Sequence, residues 1–343
     1  MEFFINDYQE GCLPEIIEKL AKYNFHANCG YGEDEICKKA KKLIKKEIKK
    51  PNSDIHFIAG GTLTNKIVIT SFLRPFEGVL CADTAHIATH ETGAIENGGH
   101  KVLTLKSSQG KITPNQIESA VYEHIGGLSV EHTVKPGMVY ISQSTEVGTI
   151  YTLQEIKEIS AVCKKHNLLF FIDGARILYA LFSKYCDFTL SDIASLCDLF
   201  YIGGTKAGAL LGEALVINNS NLKKHFRYIL KQNGALMAKG FVMGVQFEGL
   251  FENLNYKKYC QGAVEKADRI RSALKSKNIE LEFDCSDTQS FVIFKQEQYD
   301  KLAKNFNFGG ATVKDGKAYA RICTSWATNE KKVDHLIKEI ESL

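Results

Sequence analysis

Between residues 55 and 217, short apolar runs alternate with stretches whose apolar residues recur every three or four positions. The runs read as strands: Ile55–Ala59, Val79–Ala82, Val102–Leu105, Met138–Ser142, Leu168–Ile172, Leu199–Ile202 and Ala214–Ile217. They are mostly apolar rather than alternating, which predicts strands covered on both faces, as in a parallel sheet. The stretches between most of them, Leu153–Lys165 among them, read as helices. Seven strands with intervening helices predict an α/β fold built on one large, mostly parallel sheet.

The flanks read differently. Residues 1–30 are irregular apart from a helix over Pro14–Tyr23. Residues 33–50 carry eight lysines, but Ile36, Ala40, Leu43, Ile44 and Ile48 fall at helical spacing, so an amphipathic helix with a solvated lysine face is expected rather than a basic binding patch. After residue 220 a helix-rich stretch leads to a long helix near Tyr256–Ser276. Strands follow at Ile279–Phe283, Phe291–Phe294 and Tyr319–Thr324, then a helix from Glu330. The expected division is an N-terminal segment over 1–30 packing on the site, a large domain over 31–225 and a smaller α+β domain over 226–343.

Composition narrows the function little. The chain has 343 residues, 44% hydrophobic and 24% charged, with a net charge of +3. That balance is globular and gives no argument for nucleic acid. The apolar runs are too short to span a bilayer, and the first residues lack the basic start and apolar core of a signal peptide. Ten cysteines never fall as Cys-x-x-Cys, and several lie inside apolar runs. Reduced thiols and a cytoplasmic protein are expected, with no membrane partner.

The candidate chemistry lies at two abrupt ends of apolar runs. Leu168–Ile172 stops at Asp173, and Leu199–Ile202 is followed by Gly203-Gly204-Thr205-Lys206. Carboxyl ends of strands are where open α/β sheets bind ligands. A carboxylate and an amine held there suit pyridoxal phosphate, which needs a lysine for its Schiff base and an acid on its pyridine nitrogen. The apolar setting of Lys206 predicts an amine whose pKa is lowered by desolvation. Gly60-Gly61-Thr62 sits at a strand–helix junction, where free N–H groups suit one phosphate monoester. His86 and His90 offer a His-x-x-x-His pair beside Glu91, but no third metal ligand stands near. A histidine there more often closes a polar network or stacks on a ring. Arg176, three residues after Asp173, and Arg321, inside a late strand, read as carboxylate ligands if they converge; a buried ion pair is the plainer reading of Arg321.

Taken together, these residues resemble the threonine aldolases, within the β-eliminating lyase group of fold-type I pyridoxal-phosphate enzymes. The resemblance covers nearly the whole chain. Tyr31-Gly32-Glu33-Asp34 is similar to the family's Tyr-Gly-Glu-Asp box, and Gly61-Thr62-Leu63-Thr64-Asn65 to its phosphate turn. Ala85-His86-Ile87 with Glu91, Gly93 and Ala94 resembles its cofactor-stacking segment. Asp173-Gly174-Ala175-Arg176 and Thr205-Lys206 resemble its acid and lysine segments.

The resemblance implies that Lys206 forms the Schiff base, Asp173 pairs with the pyridine nitrogen, His86 stacks on the ring, and Gly61 and Thr62 hold the phosphate. It implies that Arg176 and Arg321 hold the substrate carboxylate, and that His132 stands near the substrate hydroxyl. Three tracts depart from the family. Ile5-Asn6-Asp7-Tyr8 replaces Arg-Ser-Asp-Thr, which puts Asn6 where a serine contacts the carboxylate. The lysine turn reads Thr-Lys-Ala-Gly-Ala-Leu. The tract from Lys231 to Lys239 replaces Gly-Gly-Gly-Met-Arg-Gln, which leaves Lys231 or Lys239 in place of a phosphate-binding arginine.

The implied activity is cleavage of L-threonine or L-allo-threonine to glycine and acetaldehyde. His86, His132 or a water is the expected base, and the expected assembly is a homodimer or homotetramer with shared active sites. Another pyridoxal-phosphate β-lyase or an aminotransferase is the alternative on the same scaffold, and a non-catalytic binding protein is a second. A nucleotide-binding dehydrogenase would need Gly-x-Gly-x-x-Gly after a strand, and none occurs.

Overall fold

The computed structural model describes residues 1–127 and 129–343. Its main sheet has seven strands in the order Asp54–Ile58, Glu213–Ile217, Leu199–Gly203, Leu169–Asp173, Lys135–Ser142, Glu77–Ala82 and Val102–Leu105. All pairings are parallel except the two made by Glu213–Ile217, which runs against its neighbours. Every residue of Leu199–Gly203 and of Glu213–Ile217 is buried, as the unbroken apolar runs require. The six co-directional strands end on one edge. Ser142 pairs with Asp173 there, and the reversed strand begins at that same edge, with Glu213 opposite both Ile58 and Gly203.

The lysine-rich stretch is an amphipathic helix over Glu35–Glu47, capped by Asp34, whose carboxylate accepts the Cys37 N–H at 2.8 Å. Ile36, Cys37, Ala40 and Ile44 turn inward. They pack on Phe241–Phe251, a helix buried on all sides that the sequence pattern showed only as part of a helix-rich stretch. The two backbones approach at Gly244, where an added Cβ would lie 2.8 Å from the Cys37 Cα. The lysine face is partly tied down: Lys39 reaches Glu248 at 2.6 Å and Glu252 at 2.7 Å.

A second sheet is antiparallel, in the order Ala311–Lys314, Lys317–Cys323, Gln289–Lys295 and Glu280–Leu281. With Glu330–Glu341 it encloses a second core containing Phe294, Ile322, Val333 and Leu336. Phe226, Leu230 and Phe247 belong to the first core. The helix Asn255–Ser276 spans both, with Tyr256, Cys260 and Val264 on the first and Ile270 and Leu274 on the second. The N-terminus joins the second core through Phe4 and a short parallel pairing of Glu2–Phe3 with Phe306–Asn307. From there the chain runs back to the edge of the main sheet.

Candidate active site

A cavity of about 320 Å³ lies at the carboxyl edge of the main sheet. Its lining includes Tyr8, Gly60, Gly61, Thr62, His86 and Glu146, together with Asp173, Arg176, Tyr201, Lys206 and Glu213. The fold thus gathers at one place the acid, the amine, the glycine turn and the histidine that are far apart in the chain.

Gly60 precedes the helix Gly61–Phe72 and has no side chain to cap it, so the helix opens on the cavity with no side-chain acceptor on its first N–H groups. Gly61 fits closely: a Cβ there would stand 3.2 Å from the Tyr201 hydroxyl, which would have to give by a few tenths of an ångström.

Asp173 is 4% exposed and accepts four hydrogen bonds. Tyr201 and the Ala175 N–H (2.9 Å) donate to Oδ1, and Tyr140 and Asn65 (3.2 Å) donate to Oδ2. Burial, reinforced by the Asp173 charge, pushes both phenols well above the usual tyrosine range, so they act as fixed donors. Asn65 also donates to Glu91 at 2.8 Å, and Glu91 accepts from the Nδ1–H of His86 at 2.7 Å. That bond raises the His86 pKa and favours imidazolium. The His86 ring stacks on His90 at 5.6 Å and 20°, so the two histidines lie face to face rather than converging on a point. The polar-network reading of His86 therefore describes this structure.

Lys206 follows the Leu199–Gly203 strand. Burial, then the Arg176 charge, lowers its pKa, while Asp7, Glu213 and Asp173 act the other way. Two carboxyls of the cavity are shifted up by burial: Glu146, and Glu213 to about 8. Glu146 accepts from the His86 backbone N–H at 2.9 Å and from Ser142 at 2.5 Å.

The two arginines differ. Arg176 is held bidentately by Asp7, Nε–H to Oδ2 at 2.7 Å and Nη2–H to Oδ1 at 3.0 Å. Burial alone would push Asp7 up, but Arg176 and then Lys206 outweigh it and hold the carboxyl below its usual range. Arg321 has only neutral partners, the Ile5 carbonyl at 3.1 Å and the Gln289 amide oxygen at 3.4 Å. It forms no ion pair among the described residues. It does not line the cavity that holds Lys206 but a separate one of about 860 Å³ against the second sheet, and Gln289 links it to the Glu146 carbonyl.

Three other residues singled out in the sequence lie elsewhere. Asn6 is turned back on its own chain, its Oδ1 accepting the Tyr8 N–H at 2.9 Å. Its neighbours Asp7 and Tyr8 approach the cavity instead, and the Tyr8 ring lies 6.0 Å from the Lys206 amine. Lys231 is exposed, with its ammonium 4.4 Å from the Tyr31 ring centroid. His132 is exposed before the strand Lys135–Ser142, whose other end meets the cavity. Seven strand steps place it roughly 20 Å or more away. Sequence reading named Asn65 only as part of the phosphate turn, and it missed Tyr140, Glu146, Tyr201 and Glu213. The available signal was a polar residue inside or just after an apolar run.

A family model for beta-eliminating lyases matches residues 7–302. The chain is 31% identical to the low specificity L-threonine aldolase of Pseudomonas sp. (strain NCIMB 10558), over 99% of this chain and 97% of that protein. It is 29% identical to the enzyme of that name from Pseudomonas aeruginosa, over 98% and 96%. The solved structure of Leishmania major threonine aldolase superposes with a TM-score of 0.96 at 43% identity, covering 100% of this chain and 99% of that one. Aspartate aminotransferase from Thermus thermophilus, at 10% identity and a TM-score of 0.72 over 99% and 91%, shares the fold.

Proposed function

The chain belongs to the beta-eliminating lyase family, and from that premise we propose that it is a pyridoxal-phosphate-dependent aldolase that cleaves L-threonine and L-allo-threonine to glycine and acetaldehyde. The observation that carries this is the single cavity lined by Lys206, Asp173, His86 and the open helix end at Gly61.

The residues fit the cofactor. An uncapped helix N-terminus with Thr62 beside it suits a phosphate, a strand-end carboxylate suits a pyridine nitrogen, and a desolvated amine suits a carbonyl. When bound, pyridoxal phosphate supplies an electron sink for the bond broken at Cα. Lys206 acts as the nucleophilic amine. Asp173, oriented by Tyr140, Tyr201 and Asn65, would hold a proton on the ring nitrogen. His86, its orientation fixed by Glu91, would hold the cofactor ring by its face. Arg321, which forms no ion pair among the described residues, would take the substrate carboxylate from beyond the cavity lining, and Arg176 offers Nη1, the nitrogen Asp7 does not use.

The β-hydroxyl must lose a proton as the Cα–Cβ bond breaks. Glu146 suits this step better than His86, because burial strengthens the carboxylate as a base while the bond to Glu91 favours the charged form of His86. Self-association into a dimer or tetramer is supported by the exposed Phe25, Leu210 and Leu211, the last two beside the Lys206 turn. No described helix is long and apolar enough to cross a membrane. The ten free thiols, most of them buried, support a reducing, cytoplasmic setting.

The test is direct. Purified protein should develop a visible absorbance band with pyridoxal phosphate, and with L-threonine should release glycine and acetaldehyde in equal amounts. A band without acetaldehyde from either threonine isomer would refute the aldolase and favour a β-lyase or aminotransferase.

A further inference from the structure

Ser286, Asp287, Thr288, Gln289 and Ser290 are five polar residues in a row, and none is more than 1% exposed. A buried polar group costs free energy unless it finds a partner. Here each side chain has a different one. Ser286 accepts from the Ser183 hydroxyl at 2.7 Å, Asp287 from the Ser144 hydroxyl, and Ser290 from Arg271 at 3.1 Å. Thr288 donates to Asp7 at 3.3 Å, and Gln289 accepts from Arg321 at 3.4 Å. The run leads into the strand Gln289–Lys295 of the second sheet, yet Ser144 belongs to the loop that leaves the main sheet after Lys135–Ser142.

Asp287 is the one charged member of the run. Its Oδ2 accepts from Ser144 and its Oδ1 from the Gln289 N–H at 2.7 Å. The loop is shaped around it: Gly148 has a φ of +78°, and a Cβ there would lie 2.8 Å from Oδ1, so the position favours glycine. The Gly148 carbonyl accepts the Ser286 N–H at 2.9 Å. On the other side, Arg271 Nη1 donates to the carbonyls of Asp287 at 2.9 Å and of Gln289 at 3.2 Å, which fixes the run. Glu146 stands two residues after Ser144, and both line the cavity that holds Lys206. The turn from Thr145 to Thr149 is closed on itself, with the Thr145 N–H donating to the Thr149 carbonyl and the Gly148 N–H to the Thr145 carbonyl, both at 3.0 Å. A turn closed in this way moves as a unit, so whatever holds Ser144 holds Glu146.

We propose that Asp287 is a positioning residue of the site: reaching across from the second sheet, it holds the Ser144 hydroxyl and thereby fixes the turn that presents Glu146 to the cavity. Its effect on turnover rests on the reading of Glu146 as the base. Its effect on the turn does not.

The first test needs neither cofactor nor turnover. In the full-length protein, Asp287→Ala should speed amide hydrogen exchange over residues 145–149 by about tenfold, the worth of one charge-assisted hydrogen bond, and leave the strands Leu169–Asp173 and Lys317–Cys323 as they were. Ser144→Ala removes the donor and should do the same. Asp287→Asn, whose amide oxygen can still accept from Ser144, should do less. No change at the turn, or faster exchange through both sheets alike, overturns the proposal. If Asp287→Ala does not fold, Ser144→Ala decides by the same comparison. The second test uses the protein loaded with pyridoxal phosphate. Asp287→Ala and Ser144→Ala should each lower kcat for L-threonine by about tenfold, and the double variant by no more than about twice that. Glycine, which lacks the hydroxyl that Glu146 would act on, should shift the visible band at the same concentrations as in wild type. Effects on kcat that multiply, or a matching loss of glycine affinity, overturn the proposal. A wild type that does not cleave threonine strikes the functional reading instead and leaves the exchange result standing.

Discussion

Replacing Asp7 by asparagine keeps the side chain's size and removes its charge, leaving the Arg176 guanidinium without a counter-ion. The Asp7 side chain is fully buried and that of Arg176 is 11% exposed, so water can replace little of what is lost. Breaking a buried ion pair from one side costs about 3–5 kcal/mol, most of it the penalty of the stranded charge. With a denaturant slope of roughly 3 kcal/mol per M, the urea midpoint should fall by about 1 M or more. Trp326 is the only tryptophan, packed edge-on to Tyr259 at 6.1 Å, and its fluorescence can follow the transition. Asp7→Asn/Arg176→Gln removes both charges and should recover much of the loss. The pH dependence has a definite sign. The folded Asp7 pKa is depressed, so the pair's contribution is complete above the unfolded carboxylate value of about 4 and is lost as pH falls through the folded value. The gap between wild type and Asp7→Asn should therefore hold at neutral pH and close in acid. A midpoint change worth under about 1 kcal/mol, or a double variant no more stable than Asp7→Asn, would refute the reasoning.

Three further perturbations test separate parts of the structure. Arg321→Ala should lower kcat/KM for L-threonine by a factor of roughly 30 or more, from about 2–5 kcal/mol for a lost desolvated charge contact, and leave the cofactor's resting spectrum unchanged; normal kinetics would show that the arginine serves only to hold Ile5 and Gln289. Tyr201→Phe removes one of four hydrogen bonds to Asp173 and should lose about 1.5–3 kcal/mol in urea unfolding; an unchanged midpoint would mean that the bond has no net worth. Gly244→Ala forces a methyl towards the Cys37 backbone and should lose about 1–3 kcal/mol with activity retained in the folded fraction; full stability would show that the helices can part.

Much of the fold was legible before the structure because burial on both sheet faces demands unbroken apolar runs, and seven such runs mark the seven strands. Helix limits were equally plain where a proline or a polar cap stands at the start, as at Pro14 and Thr152. The strand Ala311–Lys314 escaped because it is largely exposed and has no apolar run. The turn beside it, Asp315-Gly316, with both φ angles positive, was the local signal for that hairpin. Lys206, Asp173 and Gly61 stood out for a related reason: a charge or a glycine that follows a buried strand interrupts a regular pattern, and the interruption is visible in one dimension. Partners are not. That Asp7 neutralises Arg176 while Arg321 goes unpaired, that Tyr140 and Tyr201 converge on Asp173, and that Glu213 faces the lysine turn all depend on side chains far apart in the chain meeting at one sheet edge. Periodicity sets which face of an element a residue occupies. Which charge it meets there, and so its protonation and its chemistry, is decided only by how the elements pack.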